Sequence, residues 1–184
     1  MRIIAGTAKG HTIKAPKGMD TRPTLDRVRE SVFNVLAHRG LVQKRVLDLF
    51  SGTGALAIES LSRGASHAVA MDKATAKLIK ENAEHCHVAD KITIFSNTLT
   101  QVAHRLEGQQ FDYIFSDPPY QKGFIEATIK FVIDGDFLAP EGVLLLERHK
   151  DEALVLPEGW ACIKEQKFGY TLVSYCVRNS SERS

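Results

Sequence analysis

Val46-Leu47-Asp48-Leu49-Phe50-Ser51-Gly52-Thr53-Gly54 opens as an apolar run, breaks at two closely spaced glycines and runs into a helical pattern from Ala55 to Arg63. A short apolar run, a glycine turn and a helix are the first half of a strand–helix–strand unit. Glycines at such a turn let the backbone fold tightly and approach a ligand closely. Ala57 completes G-x-G-x-x-A, a permitted form of the dinucleotide fingerprint. Working outward, strand-like runs recur at Ala68–Met71, Lys91–Phe95, Phe111–Ser116 and Gly142–Leu146. Helical patterns lie between them, at Lys73–His85, Leu99–Leu106 and Phe124–Ile133. Alternation of this kind, with continuously apolar strands, predicts an α/β fold: a doubly wound, mostly parallel sheet covered on both faces. Trp160–Lys167 and Tyr170–Val177, joined at Phe168-Gly169, break the alternation and predict a C-terminal antiparallel hairpin.

The first 44 residues read differently. Arg2-Ile3-Ile4 and Thr12-Ile13-Lys14, with Gly6 and Gly10 between them, suggest a small β-hairpin. Thr24 or Asp26 is placed to cap a helix running to about Arg39, with Val28, Val32, Val35 and Leu36 apolar. The expected organisation is therefore a basic N-terminal extension, 1–44, and an α/β domain, 45–184. Net charge is only +2 over the 184 residues, yet residues 1–45 hold ten Lys/Arg against three acids, a net of +7. The remainder carries −5. A basic segment on a mildly acidic body suggests a polyanionic partner, with a merely solvated basic face as the alternative.

Composition excludes several classes. No apolar run approaches the roughly 20 residues of a membrane helix, and the N-terminus turns polar too soon for a signal peptide. Cys86, Cys162 and Cys176 make no CxxC and no even framework, as expected for reduced thiols in a cytoplasmic protein. Cys162 and Cys176 can face each other across the C-terminal hairpin. His85-Cys86-His87 has no second ligand cluster, so no metal is expected.

Two sites emerge from the residues. On the first side, Asp72 ends the second strand, where a carboxylate can accept ribose hydroxyls. Nicotinamide and S-adenosylmethionine enzymes share this much. Asp48 separates them, because its carboxylate suits an ammonium group and repels a pyrophosphate. The chain also has no room for a second substrate domain. Asn97, after the third strand, can meet an adenine edge. On the second side, the fourth strand ends in Asp117-Pro118-Pro119-Tyr120. Two prolines stop the ladder and stiffen the backbone. An acid, free carbonyls and a ring then stand at the sheet's carboxyl edge, a set suited to a flat base with an exocyclic amine.

These motifs resemble those of class I S-adenosylmethionine-dependent methyltransferases. Asp117-Pro118-Pro119-Tyr120 resembles the [Asp/Asn/Ser]-Pro-Pro-[Tyr/Phe] motif of enzymes that methylate base amines. Arg2-Ile3-Ile4-Ala5-Gly6 and Thr21-Arg22-Pro23-Thr24-Leu25-Asp26-Arg27-Val28-Arg29-Glu30-Ser31-Val32-Phe33-Asn34 resemble the start of the bacterial 16S ribosomal RNA guanine-N2 methyltransferases that modify guanine 966. The resemblance implies a seven-stranded sheet, S-adenosylmethionine as cofactor, and 16S ribosomal RNA, within the small ribosomal subunit, as partner. A monomer is the expected state. It implies catalytic roles for Asp117, Pro118, Pro119 and Tyr120. Cofactor contacts are implied at Asp48, Phe50, Ser51, Gly52, Thr53, Gly54, Asp72, Lys73, Asn97 and Thr98, with Arg22 and Thr24 from the N-terminal segment. Arg2, Lys9, Lys14, Arg27 and Arg29 are candidate RNA contacts, although Arg27 and Arg29 can equally pair with Asp26 and Glu30 along their helix. The competing functions are an adenine-N6 or cytosine-N4 methyltransferase acting on DNA, and a non-catalytic RNA-binding protein on the same fold.

Overall fold

The computed structural model describes residues 1–18, 23–120 and 122–179. Its sheet has seven strands in the order β3-β2-β1-β4-β5-β7-β6. The strands are β1 Arg45–Leu49, β2 His67–Met71, β3 Ile92–Phe95, β4 Phe111–Ser116, β5 Leu138–His149, β6 Trp160–Phe168 and β7 Thr171–Arg178. The helices are α1 Pro23–Arg39, α2 Ala55–Ser62, α3 Ala76–His85, α4 Leu99–Val102 and α5 Phe124–Asp134. This is the expected doubly wound sheet with an antiparallel C-terminal hairpin. The chain clusters into two compact units that divide after Asn97.

In the first unit β1, β2 and β3 pair in parallel. Val46, Leu47, Leu49 and Ala68 are fully buried, as are Ile58 of α2 and Ile79 of α3. Continuous burial along β1 explains its unalternating apolar sequence. Helix α3 begins three residues later than its periodicity suggests. The Asp72 carboxylate accepts the backbone N–H groups of Ala74 and Thr75, at 2.8 and 3.1 Å, and holds residues 73–75 as a turn. Helix α1 begins at Pro23, so Thr24 and Asp26 lie inside its first turn and do not cap it. Proline at the first helical position loses nothing, because that N–H has no helical partner.

The N-terminal hairpin is reduced to one antiparallel bridge, Arg2 with Thr12, and three side chains of the helices fasten it down. Glu59 of α2, wholly buried, accepts the Ile4 N–H through both carboxylate oxygens, at 3.0 and 3.1 Å. Ser62 Oγ accepts from Ala8 N–H at 2.9 Å and donates to the Ala5 carbonyl at 2.6 Å. Asn82 of α3 pairs with both the N–H and the carbonyl of Lys14, at 3.0 Å each. Gly6 is required here: a Cβ on it would sit 1.8 Å from the Ser62 carbonyl oxygen. Ile3, Ala8 and Ile13 of this segment are buried. The extension is thus part of the first unit's core.

In the second unit β4 and β5 are parallel, β5 pairs antiparallel with β7, and β7 with β6. β5 is far longer than the expected Gly142–Leu146. Its polar end, Glu147-Arg148-His149, stays in the ladder because each residue pairs across to β7. Arg148, buried, donates to Glu165 Oε2 at 2.8 Å and also bonds the Glu152 carbonyl. Cys162 and Cys176 do pair across the β6–β7 ladder, and both remain free thiols. Burial pushes the Cys176 thiol up to about 12.

Candidate functional site

The first unit's site is built from backbone. Phe50, Gly52 and Gly54 all take positive φ, at 56°, 59° and 82°. For Phe50 this is a sparsely populated conformation, costing about 1–3 kcal/mol and sustained only where surrounding contacts enforce it. The contacts are present. Ser51 N–H donates to the Met71 carbonyl at 2.9 Å, and Gly54 N–H to the Ser51 carbonyl at 2.9 Å. Thr75 Oγ1 donates to the Gly52 carbonyl at 2.6 Å, and Asn82 Nδ2 to the Thr53 carbonyl at 2.9 Å. Asn82 therefore ties the glycine turn to Lys14 of the N-terminal segment. At Gly54 a Cβ would lie 2.9 Å from Ile79 Cγ2; at Gly52 it would meet open space.

Two acids flank the turn. Asp48 is buried inside β1, and its carboxylate accepts Ser51 Oγ–H at 2.6 Å. Asp72 accepts Gly52 N–H at 3.1 Å in addition to Ala74 and Thr75. Three donors leave about one of its four lone-pair directions for a further hydroxyl. Lys73 is exposed and Asn97 half-buried beyond β3. Arg22 lies outside the described residues, as does the side chain of Thr24.

The second unit's site is built from side chains. Thr98, the N-cap of α4, is engaged in a capping box with Gln101. Ser116 of β4 pairs in register with Leu146 of β5. The next residues, Asp117 and Glu147, therefore come side by side, and their carboxyl groups share a hydrogen bond. Burial pushes the Asp117 carboxyl up to about 6, with the bond from Glu147 acting against the rise. Glu147 is held well above the ordinary carboxylate range, by burial first and then by the Asp117 charge and the same bond. Protein packs densely round Asp117, but its residue retains a large accessible area. Solvent therefore screens its charge, and the contribution to stability is smaller than the shift alone would give. The two carboxyls titrate as a pair, and the stronger upward push on Glu147 favours the proton there, donated to the Asp117 carboxylate.

Pro118 is buried and Pro119 exposed. Tyr120 is 39% exposed, with its hydroxyl 2.8 Å from Thr171 Oγ1 and its ring edge-to-face with His149 at 5.6 Å. Sequence reading missed Glu147, His149 and Thr171. Glu147 and His149 lie in a polar cluster immediately after an apolar strand, Glu147-Arg148-His149, which resembles a loop unless the β7 pairing is known; Thr171, opening β7, carries no such signal.

The candidate RNA contacts divide. Arg2, Lys9, Lys14 and Arg27 are exposed. Arg29 is buried, donates to the Arg2 carbonyl at 2.6 Å and lies 3.5 Å from Asp26. Its burial lowers the guanidinium pKa, against the opposing pull of Glu59 and Asp26. His11 meets His85 and His87 edge-on, at 5.6 and 5.8 Å. Among the described residues no group of three or more His, Cys, Asp or Glu is arranged to hold a metal ion, and no helix is long and apolar enough to cross a membrane.

The sequence matches the family described as Conserved hypothetical protein 95 over residues 1–177. The chain belongs to this family. It is 34% identical over 172 residues to the Ribosomal RNA small subunit methyltransferase D of Escherichia coli, covering 92% of this chain and 85% of that protein. It is 33% identical to the protein of the same name from Haemophilus influenzae, covering 95% and 91%. The fold superposes on a solved structure described as "Putative methyltransferase yhhF from Escherichia coli", with a TM-score of 0.86, 31% identity and 98% of each chain covered. The architecture of this family member is thus the Rossmann-like methyltransferase fold.

Proposed function

We propose that the protein transfers a methyl group from S-adenosylmethionine to the exocyclic N2 amine of a guanine in 16S ribosomal RNA. The observation that carries this reading is the Asp117–Glu147 carboxyl pair at the start of Asp117-Pro118-Pro119-Tyr120. The names of the relatives point to ribosomal RNA of the small subunit. An edge of carboxyl oxygens suits guanine, which presents N1–H and the N2 amine as adjacent donors. Adenine and cytosine set an acceptor ring nitrogen beside their amine, which a carboxylate repels.

The residues of the glycine turn fit the cofactor. Gly52 opens onto free space, Asp48 offers a buried carboxylate for an ammonium group, and Asp72 keeps a direction for a ribose hydroxyl. When bound, S-adenosylmethionine supplies an electrophilic methyl on a sulfonium sulfur.

The base side supplies orientation and charge. The guanine N2 lone pair is delocalised into the ring. The Asp117 carboxylate and the Pro118 carbonyl accept its two N–H groups and localise the pair on nitrogen, with Tyr120 stacked on the base. As the nitrogen bonds to the methyl carbon and the carbon–sulfur bond breaks, releasing a neutral thioether, the nitrogen would gain the positive charge, which the Asp117 carboxylate would stabilise before taking the released proton. Glu147 keeps its own proton and fixes the Asp117 carboxylate by donating to it. Exposed Arg2, Lys9, Lys14 and Arg27 meet RNA phosphates on an N-terminal segment that Glu59, Ser62 and Asn82 hold rigid. Residues 1–44 thus serve as the RNA-contacting extension and, through the Asn82 link to Thr53, as a cover for the cofactor turn.

Transfer of labelled methyl to small ribosomal subunits lacking the modification, with duplex DNA in parallel, tests the reading. Label in RNA alone is expected. Label in DNA would favour the DNA enzyme. Cofactor binding by calorimetry without transfer to either would favour the non-catalytic protein.

A further inference from the structure

Tyr170 sits at the tip of the β6–β7 hairpin and is 70% exposed. Phe168 pairs with Thr171, so Gly169 and Tyr170 form a two-residue turn. Only Gly169, φ 62°, takes positive φ, as a type II′ turn requires at its first central position. The second position is usually small or polar, so the turn itself gives no reason for a large ring. The ring is nevertheless held in place. Lys150 N–H donates to the Tyr170 carbonyl at 2.7 Å. The Tyr170 ring stacks on His149 with centroids 5.9 Å apart and planes 7° from parallel. His149 in turn meets Tyr120. A ladder of three rings thus runs from the motif tyrosine out to the hairpin tip. Lys150 Nζ lies 5.4 Å from the Tyr170 ring centroid, with its nearest acid, Asp151, at a loose 3.9 Å. Asp151 also lies 3.5 Å from His149 Nδ1, and its side chain is more exposed than that of Lys150.

We propose that Tyr170, backed by His149 and flanked by Lys150, is a stacking and phosphate site for a nucleotide beside the methylated base in single-stranded RNA. It rests on the base-methylating reading above and extends that site outward. An enzyme that draws one base against Tyr120 must unstack its neighbour, and an exposed ring continuous with Tyr120 restores the lost stacking. Every base has a π-face, so such a platform adds affinity without reading sequence. The Lys150 ammonium, now over the ring, would move aside as the base stacks and supply a counter-charge for the backbone phosphate of the same nucleotide.

The test measures the affinity of the full chain for unmethylated 16S ribosomal RNA in the presence of S-adenosylhomocysteine, together with steady-state transfer to small subunits. Tyr170→Ala is expected to raise Kd for RNA about 5- to 150-fold, the contribution of one base–aromatic stack. Tyr170→Phe is expected to keep wild-type affinity, and Lys150→Gln to weaken binding and flatten its salt dependence. Cofactor affinity, measured on the same samples, should not change in any variant. Unchanged RNA affinity and unchanged kcat/KM in Tyr170→Ala would overturn the inference. So would an effect confined to assembled subunits with naked RNA bound normally, which would assign the tip to a protein contact. RNA binding that depends on Tyr170 in a protein that transfers no methyl would sink the methyl-transfer reading and leave this site standing.

Discussion

The glycine turn after β1 and the strand ends of β4 and β5 solve the same problem, presenting polar groups at a sheet edge, by different means. The turn is a backbone device. Three consecutive-but-one residues, Phe50, Gly52 and Gly54, adopt left-handed geometry, and hydrogen bonds to Met71, Asp72, Thr75 and Asn82 enforce it. The β4–β5 edge is a side-chain device. Its groups, Asp117, Tyr120, Glu147, His149 and Thr171, meet only because β4 pairs in register with β5 and β5 with β7. The first kind of site is specified by a contiguous stretch, and the second by the register of strands distant in sequence.

That difference yields a ranking of substitutions. Asp117→Asn should lower the single-turnover methyl transfer rate most, by about 10²–10³-fold, since on the proposed mechanism it removes the charge that stabilises the developing cation. Cofactor affinity by calorimetry should be preserved, because the turn does not depend on this edge. Gly54→Ala should do the reverse. It forces left-handed φ on a Cβ that also meets Ile79, and should cost about 2–4 kcal/mol in urea unfolding with a matching loss of cofactor binding. Gly52→Ala carries the φ penalty alone, about 1–2 kcal/mol, and sharpens the contrast between strain and clash.

The carboxyl pair gives a pH signature that the turn lacks. Turnover should fall below pH about 6 as Asp117 takes up a proton, and Glu147→Gln should keep that acid limb while supplying a neutral donor. The folded state binds these protons more tightly than the unfolded chain. The pair therefore costs nothing below the unfolded pKa near 4, and stability declines as pH rises through about 6 and beyond. Glu147→Gln should raise Tm at pH 8 by about 2–4 °C, the change expected for about 1 kcal/mol in a chain of this size, and leave Tm unchanged at pH 4. The smallest expected effect is electrostatic. Lys9→Gln or Lys14→Gln should each reduce the slope of log affinity against log salt by about 0.7–0.9, whereas Arg29→Gln should leave the slope alone because Arg29 is spent inside the fold.

What could be read in the sequence follows the same division. The strand–turn–helix run from Val46 to Ser62, the alternation after it and Asp117-Pro118-Pro119-Tyr120 are local patterns, and the fold follows them. The start of α3 was displaced by Asp72, whose carboxylate outcompetes the first helical turn for two N–H groups. Glu59, Ser62 and Asn82 were illegible as anchors. On a helix they pass for ordinary polar residues, and only docking of residues 4–14 reveals that each satisfies a backbone group of the extension. Glu147 was hidden because the ladder that keeps β5 extended past Leu146 comes from β7, which follows it by a second hairpin strand.

On the proposed mechanism the Asp117–Glu147 edge selects the N2 amine of guanine. Mass mapping of the nucleoside labelled by the wild-type protein on unmodified small subunits tests it most directly. N2-methylguanosine is the expected product. N6-methyladenosine or N4-methylcytidine at the labelled position would contradict it.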